Sequence, residues 1–144
     1  MRKSGVLMHI SSLPSPHGIG SMGKPARDFV DFLDKAGQAY WQILPVCPTS
    51  YGDSPYQSFS TFAGNPYFID LDELCKAGYL KRKEYAGIDW ESEPDRVNYE
   101  ALYNKRYVVL RKAAERFLEN PEDGYEEFCH DNRSWIYDYA LFMA

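Results

Sequence analysis

The first 45 residues set out a strand, a helix and a second strand joined by short links, and that order leaves few ways to fold. Residues 5–10 are a short apolar run of strand length. Pro25 stands where a first helical residue would, and Ala26, Phe29, Val30, Leu33 and Ala36 recur at helical spacing as one apolar stripe. Gly37 is a natural helix stop. Tyr40-Trp41-Gln42-Ile43-Leu44, closed by Pro45, is the second strand. Such a unit demands parallel strands and a right-handed crossover, which places the chain in the α/β class.

Residues 48–66 form a long loop rich in Tyr, Ser, Gly and Phe. A loop of that length without elements of its own is functional or disordered, and its aromatic content speaks against disorder. Tyr67-Phe68-Ile69-Asp70-Leu71 has the length and side chains of a further strand. The character then changes. Residues 72–77 predict a short helix stopped by Gly78, and residues 81–98 are polar and irregular. Residues 99–120 predict a long amphipathic helix with Tyr103, Tyr107, Leu110, Ala114, Phe117 and Leu118 on its buried side, ended by Asn120-Pro121. Residues 125–130 predict another short helix. Residues 134–144 begin one more, with Trp135, Tyr139 and Phe142 in register. That last periodic run has no stop signal, and two or three parallel strands cannot close a barrel, so the sequence reads as truncated.

Charge narrows the partners. The formal net charge is -5 and the charges are interspersed, so a nucleic-acid footprint is missing and the expected partner is neutral. Cys47, Cys75 and Cys129 are odd in number and widely spaced, which fits reduced thiols rather than a disulfide framework or zinc site. The basic start before residue 5 leads into an apolar run too short for a signal peptide, and no stretch is long enough for a membrane helix. These features predict a cytoplasmic protein, in which the sequon Asn132-Arg133-Ser134 is idle.

Gly18, Gly20 and Gly23 match the G-x-G-x-x-G dinucleotide pattern between a strand and a helix. The first glycine lies well past the strand, and the acidic residue needed after the second strand is missing, so a glycine-rich βα loop is preferred. His9, His17 and His130 have no metal-ligand spacing. His9 ends the first strand; it is either a core or loop histidine or a group pointing at the active-site face of a parallel fold. Asp28, Asp31 and Asp34 read as the solvated face of the first helix. Asp53 is an acid inside the aromatic loop, suited either to a sugar hydroxyl or to an Asx-turn into Ser54-Pro55. The whole loop mixes flat aromatic faces with Ser, Asp, Gln and Asn, as a glucose ring with its apolar face and hydroxyl rim requires. A self-packed Ω-type loop accounts for the same composition.

Several stretches carry a specific resemblance. Gly37-Gln38-Ala39-Tyr40-Trp41-Gln42-Ile43-Leu44-Pro45, then Gly52-Asp53-Ser54-Pro55-Tyr56-Gln57-Ser58-Phe59-Ser60 and Ala63-Gly64-Asn65-Pro66, resemble the 4-α-glucanotransferases, family 77 of the glycoside hydrolases. Gly5-Val6-Leu7-Met8-His9-Ile10-Ser11-Ser12-Leu13-Pro14 is similar to that family's opening, and the likeness returns at Trp135-Ile136-Tyr137-Asp138-Tyr139-Ala140-Leu141-Phe142-Met143-Ala144. The resemblance implies the opening part of a (β/α)8 TIM barrel, with residues 1–71 as its first βα units and 72–144 as a mainly helical inserted subdomain. It implies retaining transfer of an α-1,4-glucan segment to another glucan's 4-hydroxyl, without metal or organic cofactor. The partners implied are α-1,4-glucans, maltooligosaccharides and the C-terminal remainder of the same enzyme. None of the acids here matches the family's nucleophile or acid/base, so no catalytic residue is assigned. By the same resemblance Tyr56 stacks on the sugar beside the scissile bond, Ser54 and Asp53 line the same donor subsites, and Tyr51, with Tyr99, belongs to a second glucan-holding groove. A related α-glucan hydrolase and a non-catalytic sugar-binding module are the alternatives.

Overall fold

A computed structural model describes residues 2–93 and 95–144. Strands β1 (Gly5–Leu7) and β2 (Tyr40–Gln42) pair in parallel with Val6 opposite Trp41, and helix α1 (Lys24–Lys35) makes the crossover between them. The βαβ unit is as the sequence predicts, but both strands are short. After Leu7 the Met8 carbonyl accepts from Trp41 Nε1 at 2.7 Å, and the chain then tightens into a 3-10 turn at Ile10–Ser12. Helix α1 ends at Gly37 through Gln38 N–H to Leu33 O and Gly37 N–H to Asp34 O, a paired return that satisfies its last carbonyls. Only Leu33 of its apolar stripe is fully buried. Phe29 meets Trp41 edge-on at 5.0 Å, while Val30 and Ala36 face outward, because a two-stranded sheet is too narrow to cover the whole stripe.

The strand expected at residues 67–71 is not one. Asn65 Oδ1 accepts from Tyr67 N–H at 2.9 Å and starts a 3-10 turn at Pro66–Phe68; Asp70 Oδ1 accepts from Glu73 N–H at 2.9 Å and starts helix α2 (Leu71–Lys76). Two side-chain caps in quick succession bend the backbone out of the extended form.

Helix α3 (Tyr99–Glu119) starts at an Asn98 cap and follows its predicted span, but its buried face is turned by about one residue. Ala101, Leu102, Arg106, Val109 and Ala113 are buried, whereas Tyr103 and Leu118 are exposed. The reason is Arg106, a charge in the middle of the true apolar stripe. Its side chain is completely buried. It donates from Nη1 to His17 O at 3.0 Å and from Nη2 to Ile69 O at 2.7 Å, with the Trp90 ring 5.8 Å from its guanidinium. Burial draws its pKa down to about 10, which still leaves it charged at neutral pH.

One apolar cluster surrounds this residue, joining Ile10, Leu13 and Ile19 of the first loop to Leu71, Leu80, Leu102 and Val109. The stretch 81–98, irregular as expected, gives the same cluster Tyr85 and Trp90. Asp72 accepts from Tyr85 Oη at 2.7 Å and meets His17 Nε2 at 3.3 Å; the Tyr85 hydrogen bond, then His17, holds the carboxyl below the usual range. Helices α4 (Tyr125–Asp131) and α5 (Ile136–Met143) complete the chain. Among the described residues no helix is long and apolar enough to cross a membrane, and all three cysteines are unpaired.

Arg106→Ala would strand the buried His17 carbonyl and the part-buried Ile69 carbonyl, a buried one being worth about 1–3 kcal/mol when left without a donor. Urea unfolding should therefore show a loss of about 3 kcal/mol or more, with Arg106→Lys recovering only part because a single ammonium lacks the fork geometry. An unchanged midpoint would remove Arg106 from the clamp. A second effect is set by pH. Arg116 grips Glu84 with both Nη atoms, at 2.6 and 2.7 Å, and Lys81 N–H adds a bond at 2.7 Å. Chiefly through Arg116, the carboxyl falls from 4.5 to about 2. A depressed carboxylate stabilises fully above its unfolded value and loses that contribution as pH falls towards the folded one. Unfolding measured across that acid window should steepen in the parent and flatten in Glu84→Gln.

Candidate functional site

The loop between β2 and the Pro66–Phe68 turn is closed at its base, where Asn65 N–H donates to Val46 O at 2.8 Å. Its tip is bonded to itself. Asp53 N–H reaches Ser50 O at 3.0 Å, Gln57 N–H reaches Ser54 O at 3.1 Å, and Ser50 N–H returns to Gln57 O at 3.0 Å. The far limb turns on hydroxyls: Ser60 Oγ accepts from Phe62 N–H at 3.3 Å and Ala63 N–H at 3.1 Å. The loop is thus an Ω-type loop held by its own backbone. That closure is compatible with a binding role, since it spends backbone groups on shape and leaves the large side chains outside.

Tyr51 is 99% exposed and Tyr56 is 75% exposed, both on the self-bonded tip. Ser54 is half-buried beside them, and its Oγ accepts from Tyr56 N–H at 3.4 Å. Asp53 lies in the left-handed region with φ 54°, an unusual place that Asp tolerates better than most residues. Its carboxylate turns back to accept from Thr49 Oγ1 at 3.4 Å. The Asx-turn considered for it does not form, since Pro55 has no N–H to donate; Ser54 makes the local turn instead. Partial burial pushes the Asp53 carboxyl up from its ordinary value.

Beneath the loop lies a tyrosine layer. Tyr67 is buried, with the Tyr107 ring at 5.5 Å and the Tyr99 ring at 6.2 Å. Burial, followed by the proximity of Tyr107 and the Asp53 carboxylate, pushes the Tyr67 phenol up. Burial and then the Asp53 charge do the same to Tyr99. The structure therefore brings Asp53 towards Tyr99 and Tyr67. Tyr99 rests on Tyr67, and among the described residues Tyr51, at its exposure, packs on no ring. On the other flank Phe62 stacks on Trp135 at 5.7 Å, and Phe59 meets Tyr139 at 6.4 Å and Phe142 at 5.4 Å. Sequence reasoning passed over this second set, although Phe59 and Phe62 on the loop and Trp135, Tyr139 and Phe142 at helical spacing on α5 were a visible signal.

The glycine-rich stretch takes no part in phosphate binding. A Cβ on Gly20 would stand 1.9 Å from Ile10 O, and one on Gly23 would stand 1.9 Å from Asp70 Oδ2. These glycines exist for close packing, and a carboxylate already occupies the place before α1 where an anion would sit. Among the described residues no group of three or more His, Cys, Asp or Glu is placed to hold a metal. His9 is half-buried edge-on to Phe68 at 5.2 Å, and burial lowers its pKa. Retaining glycosidic chemistry needs two facing carboxyl groups, and the loop presents one. What this arrangement can do is bind a ring-shaped polar ligand.

Residues 8–144 match the family described as 4-alpha-glucanotransferase. A 4-alpha-glucanotransferase of Streptococcus pneumoniae is 54% identical over 99% of this chain, which covers 28% of that protein. Another, from Thermus thermophilus, is 48% identical over 99% of the chain and likewise 28% covered. The solved amylomaltase from Streptococcus agalactiae in complex with acarbose superposes with a TM-score of 0.91 at 46% identity, over 100% of this chain and 29% of its own. The chain thus spans under a third of the length of the relatives it matches.

Exposure separates the rings of the loop tip from those of the core. Tyr51→Ala and Tyr56→Ala should each change unfolding free energy by no more than about 0.5 kcal/mol, as surface substitutions do. Tyr67→Ala should cost about 3–5 kcal/mol, the range for emptying a buried aromatic site. Equal losses at Tyr56 and Tyr67 in urea unfolding would make Tyr56 a structural ring.

Proposed function

Because the chain belongs to the 4-alpha-glucanotransferase family, we propose that the protein transfers a segment of an α-1,4-glucan to the 4-hydroxyl of another glucan or of glucose. The carrying observation is the exposed Tyr56 ring on a self-bonded loop, with Ser54 Oγ bonded to the Tyr56 N–H and Asp53 three residues before it on the same tip. A sugar stacks its apolar face on such a ring while neighbouring oxygens take its hydroxyls. Tyr56 stacks on the glucose unit beside the scissile bond. Ser54 and Asp53 line the same donor subsites. Tyr51 and Tyr99 hold a more distant stretch of the glucan.

Residues 1–71 then supply the first βα units of a (β/α)8 barrel and residues 72–144 a mainly helical inserted subdomain. The open side of α1, with Val30 and Phe32 exposed, is where further barrel elements pack. The mechanism is retaining. One carboxylate attacks the anomeric carbon, and a second protonates the leaving oxygen and then deprotonates the acceptor hydroxyl. Both carboxylates come from outside residues 1–144. The partners are α-1,4-glucans and maltooligosaccharides, and the compartment is the cytoplasm.

The test is to incubate the intact protein with maltotriose and to resolve the products. A ladder of longer maltooligosaccharides plus glucose, with total reducing ends constant, is the expected result. Rising reducing ends with short products alone would make it a hydrolase and overturn the transfer reading. Tyr56→Ala should lower kcat at least roughly tenfold, because stacking at the reacting sugar is felt in the transition state.

A further inference from the structure

Helices α4 and α5 meet at Asn132, whose side chain uses both of its ends. Its Nδ2 donates to Phe128 O at 2.8 Å, one of the carbonyls at the end of α4, and its Oδ1 accepts from Trp135 Nε1 at 3.0 Å. The indole is thus oriented by a group that is itself held. The half-buried Trp135 ring receives Phe62 from the far limb of the loop, stacked at 5.7 Å with 19° between planes. Tyr139, one turn on, lies 6.0 Å from Trp135 and takes Phe59 on its own ring, with Phe142 beside Phe59 at 5.4 Å.

The limb has little else to hold it in place. Ser58 Oγ donates to Ser60 O at 2.7 Å, and Ser60 Oγ accepts from Phe62 and Ala63 N–H, but these bonds run within the limb and give it a shape rather than a position. The closure of Asn65 on Val46 fixes only the ends of the loop. Ser58, Thr61, Ser134 and Asp138 line the cleft between limb and helix, and among the described residues no hydrogen bond or ion pair crosses it. The rings therefore join the two sides. Towards the tip, Gln57 N–H donates to Ser54 O and Gln57 O accepts from Ser50 N–H, so only Ser58 separates that bonded turn from Phe59. A shift of Phe59 passes directly to the turn that presents Tyr56, three residues before it.

We propose that Trp135 is a positioning residue for the transfer reaction: through Phe62, and through Tyr139 against Phe59, it holds the loop where the Tyr56 ring meets the glucose unit beside the scissile bond. The inference rests on the glucan-transfer reading above and deepens it. Trp135 acts through Tyr56 and makes no contact with substrate. The contacts it uses are internal to the chain and draw on no open ring face. A displacement of about 1 Å in a substrate-positioning group can lower a rate roughly a hundredfold, so a partial release of the limb is enough to be measured.

The test compares transfer on maltotriose by the intact protein and its variants. Trp135→Ala should lower kcat roughly tenfold, and Trp135→Phe, which keeps a flat ring against Phe62, should recover most of that loss. Added to Tyr56→Ala, Trp135→Ala should lower kcat by no more than about twofold further, because the ring it positions is already gone. An unchanged kcat in Trp135→Ala, or the same loss repeated on top of Tyr56→Ala, would overturn the inference. Phe62→Ala changes a side chain that is 71% exposed and carries the same expectations if a thermal melt shows Trp135→Ala to be unfolded. Hydrogen exchange reads the clamp without the reaction: the Gln57 and Ala63 amides should exchange at least roughly tenfold faster in Trp135→Ala. Unchanged exchange also overturns the inference. The two ideas fail separately. A parent without transfer refutes the reaction while faster exchange keeps the clamp, and an active parent whose kcat survives Trp135→Ala refutes the positioning role alone.

Discussion

The buried guanidinium of Arg106 is the constraint on which the surrounding structure depends. Three segments far apart in sequence meet on it: the first loop through His17 O, the approach to α2 through Ile69 O, and Trp90 through its ring. A charge in an apolar cluster is costly unless its hydrogen-bonding groups are engaged; two backbone carbonyls engage one N–H on each Nη here, while the buried Nε has no partner among the described residues. The requirement runs both ways. Those carbonyls lie in irregular segments with no ladder to join, so Arg106 on α3 gives them the donor they would otherwise lack.

From that clamp the candidate site is built upward. Burying Arg106 fixes the rotation of α3, and the rotation sets Tyr107 and Tyr99 against Tyr67. The tyrosine layer forms the floor beneath the loop, whose base is closed by Asn65 and Val46 and whose tip is bonded to itself. Tyr51 and Tyr56 are therefore exposed but not loose: their backbone is held while their rings face solvent. A platform ordered in advance loses less conformational freedom when a ligand stacks on it.

The apolar surface that remains is unevenly distributed. Helix α1 turns Val30 and Phe32 outward, and the Tyr107, Leu110 and Phe117 flank of α3 walls an open groove with Phe68, Leu74 and Tyr79. The flank of α5 is different in kind, because its rings are interleaved with Asp138 and Ser134. That mixture sets the α5 cleft apart from the wider groove, whose walls are mostly carbon.

Local order determined the parts that the sequence announced. The βαβ unit, the Gly37 and Gly78 stops, the Asn98 start of α3 and the aromatic loop are each written in residues within a turn or two of where they act. Composition left the loop open between a sugar site and a self-packed Ω-type loop, and its motifs carried the family. Tertiary structure decided what depended on partners distant in sequence. Two remote carbonyls make Arg106 a core residue, and that displaces the buried face of α3 from the one expected. Residues 67–71 look like a strand by side-chain type, yet Asn65 and Asp70 cap them into turns, with Asp70 also bound to Ser21 from another segment. The glycine motif was legible as a packing loop rather than a nucleotide site, but only the fold shows that Ile10 O and the Asp70 carboxylate fill the space beside Gly20 and Gly23. Arg106 and the Asp70–Ser21 pair found their partners across the fold, which no local pattern records, whereas the Asn65 and Asp70 caps act two and three residues on and are local.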